Sequence, residues 1–249
     1  MKNYHTLFNT IASKKGQIAI LIDPEKCDNG PELVALIKKA EFAKIDYFFI
    51  GGSTVTKGEF EATIHFLKLN TTLPIVIFPG GSHQVSEKAD ALLYLSLLSG
   101  RNPDFLIGHH VRSASEIFAM DLEVISTGYI LIDGGTQSTV AYVSQTTPIP
   151  REQISIAKNT AIAGVLQGKK IIYFDAGSGA KNSVPVEMIR DTVVLGVPII
   201  VGGGIRSIGQ INEYKRTGAN VIVIGNHIEE NIDFLLDIKA FISDNKGKD

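Results

Sequence analysis

The chain has 249 residues, 44% of them hydrophobic and 20% charged, with a formal net charge of −2. This is ordinary folded-protein composition with length for a large core, and it has neither a basic footprint for nucleic acid nor a Lys/Arg-rich tract. The only cysteine, Cys27, excludes an intramolecular disulfide and a thiolate metal cluster and points to a cytoplasmic protein.

Tyr4, Leu7, Phe8 and Ile11 recur at helical spacing and predict a short amphipathic opening helix, where a signal peptide would instead carry a continuous apolar core. No apolar run reaches the roughly 18 residues of a membrane span. Residues 17–22 are a nearly continuous apolar run up to Asp23-Pro24-Glu25-Lys26, the mark of a strand buried on both faces in a parallel sheet. Gly30-Pro31 opens a helix through Leu33, Val34, Ile37 and Ala40. Residues 47–50 form the second strand, closed by Gly51-Gly52-Ser53, and a helix through Ile64 and Leu67 follows.

The third strand covers 74–78 and ends in Pro79-Gly80-Gly81-Ser82. The connection up to Asp90 is barely long enough for a crossover. Strand four is 91–97, a helix lies within 103–120, and strand five is 123–132, with Gly128 marking a kink or bulge. A helix over 151–166 leads to strand six at 170–175, then a helix over 185–195 and strand seven at 198–201. Ser207 with Gln210 forms a capping box for a short helix. Strand eight is 220–224, and Asn226 with Glu229 caps a final helix. Eight βα units in one stretch, 1–249 without a linker, favour a closed (β/α)8 barrel, with an open doubly wound sheet as the alternative.

In such a barrel the functional face is the C-terminal end of the strands, where the glycine turns fall. Gly177-Ser178-Gly179, Gly203-Gly204 and Gly225-Asn226 follow neighbouring strands, and bare backbone N–H groups there can approach phosphate oxygens. A Rossmann fingerprint is excluded, because its third glycine is missing and the stretch follows strand six. Alternation along that strand sends Tyr173 and Asp175 to the barrel axis and Phe174 and Ala176 outward. A phenol and a carboxylate beside a phosphate cup suit holding or deprotonating the hydroxyl of a phosphorylated polyol, the lesser alternative being that Asp175 caps its own loop. Asp23 and Ser53 end strands one and two on the same rim. They make a thin Mg2+ ligand set of the kind completed by water and substrate phosphate, while Asp23 before Pro24 is also a turn former. His109-His110 lack metal spacing and read as structural or surface residues. Lys26, Lys181 and Arg206 lie near the same rim, where they could neutralise phosphate or be ordinary surface cations.

Five segments occur together and in order: Leu21-Ile22-Asp23-Pro24-Glu25-Lys26, Gly51-Gly52-Ser53, Phe78-Pro79-Gly80-Gly81-Ser82, residues 173–180 and Val201-Gly202-Gly203-Gly204-Ile205-Arg206. With them the chain resembles the geranylgeranylglyceryl phosphate synthases, a prenyltransferase family that includes heptaprenylglyceryl phosphate synthases, over residues 18–226. The resemblance implies a modified (β/α)8 barrel whose third helix is a looser segment, in agreement with the short connection before Asp90. It implies ether formation between sn-glycerol 1-phosphate and a polyprenyl diphosphate such as the geranylgeranyl one, with release of diphosphate. It places Mg2+ at Asp23 and Ser53. It places glycerol phosphate at Tyr173, Phe174, Asp175, Ala176, Gly177, Ser178, Gly179, Gly203, Gly204, Gly225 and Asn226.

The family often carries Tyr-x-Glu where this chain has Tyr173-Phe174-Asp175, so the charge is drawn back by one methylene. Asp175 is then expected to orient or deprotonate the glycerol C3 hydroxyl. Leu92, Tyr94, Leu97, Leu98, Phe105 and Phe118 are the expected groove for the prenyl tail, with barrel core as the alternative for each. A homo-oligomer follows from the resemblance, and peripheral membrane contact from the lipid product. Two other readings stay open on the residues alone: a different phosphate-binding barrel enzyme, such as a sugar-phosphate isomerase or epimerase, and a non-catalytic prenyl-phosphate-binding protein.

Overall fold

Eight parallel strands pair in chain order, and the last returns to the first. In the computed structural model, which describes residues 6–245, they are β1 (Gln17–Ile22), β2 (Tyr47–Ile50), β3 (Ile75–Ile77), β4 (Ala91–Leu97), β5 (Glu123–Leu131), β6 (Ile171–Asp175), β7 (Ile199–Gly202) and β8 (Val221–Ile224). Closure is made by Gln17 to Ile20 of β1 lying in register with Val221 to Ile224 of β8. The open sheet is thereby excluded.

The strands are mostly apolar because each serves two cores. Ala19, Phe49, Val76, Leu93, Ile125, Tyr173 and Ile200 fill the barrel interior. Their neighbours Ile18, Ile20, Phe48, Ile50, Phe174 and Val201 face the surrounding helices. Phe174 is therefore outside and Tyr173 inside, as alternation requires.

The helices are α1 (Thr6–Ser13), α2 (Pro31–Ala43), α3 (Lys57–Asn70), α4 (His109–Ala119), α5 (Thr139–Ser144), α6 (Ile154–Leu166), α7 (Val186–Val193), α8 (Ile208–Thr217), α9 (Asn226–Glu230) and α10 (Phe234–Asn245). Helix α1 plugs the N-terminal end of the barrel. Ile11 is fully buried in the interior core, and Glu123 accepts the Leu7 and Phe8 N–H groups at 2.9 Å each. Tyr4, expected on this helix, lies outside the described residues. None of the described helices is long and apolar enough to cross a membrane.

No helix follows β3. Instead the segment 78–90 is clamped onto the turn after β2. Gln84, fully buried, donates from Nε2 to Gly52 O and accepts the Gly80 N–H, both at 2.8 Å. A side chain at Gly80 could not exist here, since its Cβ would fall 2.1 Å from Gly52 O.

Several boundaries differ from expectation. The helix within 103–120 begins as a π-helical turn over Asp104–Gly108, the one before strand six starts at Ile154, and α5 carries no strong period to announce it. Gly128 is no bulge, because the register runs unbroken through it on both sides. It is glycine for packing: a Cβ there would sit 2.6 Å from Leu98 Cδ1, and one at Gly164 of α6 would meet the same atom at 2.5 Å. Ser207 and Gln210 do form the capping box. Asn226 does not cap: it is the first residue of α9, and its carboxamide turns to the loop after β6.

Candidate active site

Asp175 ends β6 pointing inward, and only 8% of it is exposed. Tyr129, its diagonal neighbour on β5, donates its phenol O–H to Asp175 Oδ2 at 2.6 Å, and the Gly177 N–H donates to Oδ1 at 2.8 Å. Burial pushes the carboxyl above the usual carboxylate range, and these two donors pull it partly back. Each oxygen keeps a lone pair, so the group can still take a substrate hydroxyl. Asp175 thus caps its own loop and faces the cavity at once; the two sequence readings were compatible.

Three aromatic rings floor the site. Phe78 stacks on Tyr173 at 4.9 Å, and Tyr129 meets both edge-on, at 5.5 and 5.6 Å. Burial, reinforced by the Asp175 charge, raises both phenols well above their ordinary value, so they stay neutral hydroxyls.

Beyond Asp175 the chain turns through Gly177, Ser178 and Gly179. Asn226 Oδ1 accepts Ser178 Oγ–H at 2.9 Å and Gly179 N–H at 3.1 Å. Gly203 closes the other side with φ +80°, and a Cβ there would press to 2.6 Å from Asp175 Oδ1 and 2.7 Å from Ala176 N. Only glycine combines that left-handed backbone with so close an approach. Ser178, Gly179, Gly203, Gly204, Gly225 and Asn226 all border one cavity with Tyr173, Asp175 and Gly177. Phe174 and Ala176 belong to the outer core and do not line it.

Asp23 and Ser53, from the turns after β1 and β2, border the same cavity. Asp23 Oδ1 accepts the Glu25 N–H at 3.2 Å, the turn-forming bond, while Oδ2 faces Lys26 Nζ at 3.8 Å. The carboxylate packs directly on the turn after β2, where a Cβ at Gly52 would fall 2.6 Å from Oδ1. Burial is the main reason its carboxyl is raised. No group of three His, Cys, Asp or Glu side chains suited to a metal occurs among the described residues. The donor set is one carboxylate and one hydroxyl, all hard oxygen, which fits a Mg2+ that takes its remaining ligands from water and phosphate.

The same cavity has an apolar side, a groove lined by residues of the segment 78–85, of β4, and of the helical region 105–117. Leu92, Tyr94, Leu97 and Phe105 line it as expected. Leu98 does not, being wedged against Gly128 and Gly164, and Phe118 is 83% exposed on the outer face of α4. Their places are taken by Val85, Ile117, His109 and His110 from α4, and Val140 and Val143 from α5. The histidines are wall residues rather than surface ones. His110 stacks on Tyr94 at 3.9 Å and bonds Leu95 O through Nε2 at 2.6 Å, and His109 sets its edge against Phe105. Burial lowers both imidazoles, so they present neutral faces to the groove.

Sequence reasoning missed Tyr129, Gln84 and the α5 valines, and read Glu229, which also lines the cavity, only as a helix cap. Tyr129 was within reach, because alternation along strand five puts it on the inner face beside Tyr173.

A (β/α)8 barrel with an amide-lined cup, a carboxylate-bearing rim and an apolar side groove meeting at one mouth is a barrel built to bring a polar and a long apolar ligand together. The PcrB family model matches residues 10–243, and the chain belongs to that family. It is 47% identical over 228 residues to the geranylgeranylglyceryl phosphate synthase of Flavobacterium johnsoniae, covering 90% of this chain and 93% of that one. To the synthase of the same name from Chitinophaga pinensis it is 45% identical over 232 residues, covering 91% and 92%. Among solved structures it is similar to (S)-3-O-geranylgeranylglyceryl phosphate synthase from Thermoplasma acidophilum in complex with sn-glycerol-1-phosphate. That match has a TM-score of 0.88 at 30% identity, covering 99% of each chain.

Proposed function

We propose that the protein transfers a polyprenyl group, geranylgeranyl by the relatives' names, from its diphosphate to the C3 hydroxyl of sn-glycerol 1-phosphate. The single observation that carries this is the shared mouth: the glycine cup, the buried Asp175 and the apolar groove border one cavity. A sugar-phosphate isomerase would have no use for such a groove.

The glycerol phosphate sits with its phosphate among Gly177, Ser178, Gly179, Gly203 and Gly204, where N–H groups and the Ser178 hydroxyl can donate. That leaves the C3 hydroxyl toward Asp175 and Tyr173. The allylic C–O bond of the diphosphate breaks with its electron pair leaving on diphosphate, the glycerol oxygen bonds to the same carbon, and the hydroxyl proton passes to the Asp175 carboxylate. A raised carboxyl is a better base for that proton than an ordinary aspartate. Because the carbon becomes cationic as the leaving group departs, the oxygen needs placing more than activation, and Asp175 with both oxygens already oriented serves placement first. Mg2+ held by Asp23 and Ser53 would supply Lewis-acid stabilisation of the departing diphosphate. Tyr94, Leu92 and Phe105 cover the tail and keep water from the allylic carbon. A cytoplasmic homo-oligomer that meets the membrane only peripherally belongs to the same proposal: the compartment rests on the single cysteine, the assembly on the motif resemblance, and the membrane contact on the lipid product.

The test is purified protein with Mg2+, sn-glycerol 1-phosphate and prenyl diphosphates of graded length, with products weighed by mass spectrometry. The expected result is a prenyl ether of glycerol phosphate and none from sn-glycerol 3-phosphate. Absence of ether product at every chain length overturns the reading.

A further inference from the structure

Lys26 stands on the turn after β1, at the rim of the cavity. Its Nζ lies 3.4 Å from Ser178 Oγ at the rim of the cup, 3.3 Å from Glu229 Oε2 on α9, and 3.8 Å from Asp23 Oδ2. The loops after β1 and β6 and the short helix after β8 therefore converge on one ammonium group, which stands between the cup and the Asp23–Ser53 wall.

Glu229 also takes Asn226 Nδ2 at 3.4 Å, so a closed ring runs from Lys26 through Ser178, Asn226 and Glu229 back to Lys26. Two consequences follow from its chemistry. The Ser178 and Gly179 donors are engaged by a neutral amide oxygen, a weaker acceptor than a phosphate oxygen and one that phosphate can displace. The partner of Lys26 is a half-buried carboxylate, pushed above the ordinary glutamate range chiefly by burial, and a phosphate dianion arriving beside it disfavours that charge further. Lysine suits exchange of this kind, being a compact point charge on a flexible stem rather than a planar fork committed to one carboxylate.

We propose that Lys26 is the cation common to the glycerol phosphate and the prenyl diphosphate, and that Glu229 holds it between the two sites until phosphate displaces the carboxylate. Two anions gathered at one mouth repel each other, and an ammonium between them offsets that repulsion. Lys26 then couples the two substrates: each anion leaves it placed for the other. Glu229 is a positioning residue that acts through Lys26 and works against phosphate binding in its own right. The proposal rests on the prenyl-transfer reading only for the identity of the two anions.

Titration calorimetry in metal-free buffer decides it, with sn-glycerol 1-phosphate, inorganic phosphate and inorganic diphosphate as probes and melting temperature as the folding control. Lys26→Met is expected to weaken sn-glycerol 1-phosphate about tenfold, the usual loss for a charge-assisted bond, and Lys26→Arg to restore most of it. Glu229→Gln is expected to tighten the same probe. Diphosphate added first is expected to weaken glycerol phosphate binding far more in Lys26→Met than in the unaltered protein.

Opposite signs for the two partners of one ion pair distinguish this role from a merely structural one, which would move both the same way. Unchanged affinity in Lys26→Met, loss of affinity in Glu229→Gln, or an unaltered protein that binds none of the probes overturns the proposal. If glycerol phosphate fails to bind while inorganic phosphate shows the opposite signs, the substrate reading falls and the role of Lys26 stands.

Discussion

Tyr129→Phe removes one oxygen from the floor of the site and leaves its ring contacts with Phe78 and Tyr173 in place. The lost bond is the 2.6 Å donation to Asp175 Oδ2, made to a buried carboxylate that has few other ways to be satisfied. Bonds to charged groups contribute about 1.5–3 kcal/mol, and at this chain length each kcal/mol shifts the melting temperature by about 2–4 °C.

The sign of the pH dependence follows from Asp175. Its folded carboxyl is already raised above the unfolded value, chiefly by burial, and the phenol is one of two groups lowering it. Removing the phenol raises it further. The stability gap between the two proteins is therefore widest where Asp175 is ionised and narrows as pH falls through its folded pKa. The acid limb of kcat/KM moves to higher pH in the variant, because the base is protonated sooner. Denaturant melts of both proteins from acid to neutral pH, with Asp175→Asn completing a double-mutant cycle, measure the coupling directly. A gap that does not vary with pH, or a coupling energy near zero, refutes the claim that Tyr129 holds Asp175 for its task.

Asp175→Asn keeps the shape of the side chain but cannot accept the hydroxyl proton, and kcat is expected to fall about 10²- to 10⁴-fold; a variant with full kcat sinks the base assignment. Gly203→Ala brings a methyl to 2.6 Å from Asp175 Oδ1 on a left-handed backbone, so both glycerol phosphate affinity by calorimetry and thermal stability should drop. Gln84→Ala leaves the Gly80 N–H and Gly52 O without their partner, costing about 1–3 kcal/mol and loosening one wall of the groove. Its KM for the prenyl diphosphate should rise while that for glycerol phosphate stays put. Chelating divalent metal should abolish turnover yet leave glycerol phosphate binding intact, and Asp23→Asn should raise the Mg2+ concentration needed for half-maximal rate.

The barrel was legible because largely apolar strands such as Gln17–Ile22 and Ala91–Leu97 recur in eight alternating βα units, a count that favours closure over an open sheet. Alternation also gave Tyr173 and Asp175 their inward direction. Other features were set by contacts distant in the chain. Leu98 and Leu97 look alike in a hydrophobicity pattern, yet one lines the groove and the other is claimed by the two glycines on β5 and α6. Phe118 reads as a groove residue by size and faces solvent by helical phase. Asn226 looks like a helix cap because caps and loop clamps use the same carboxamide, and only the position of Ser178 and Gly179 across the mouth decides between them. Gln84 sits in a connection that sequence could describe only as short, and its work depends on carbonyl and amide groups more than 30 residues and 4 residues away.

The central claim is that the glycerol oxygen itself attacks the allylic carbon. sn-Glycerol 1-phosphate carrying 18O at the C3 hydroxyl, incubated with geranylgeranyl diphosphate, tests this in one mass spectrum. The label should appear wholly in the ether lipid, with released diphosphate unlabelled. Label in the diphosphate, or a lipid product without it, would contradict the arrangement of Asp175, cup and groove described above.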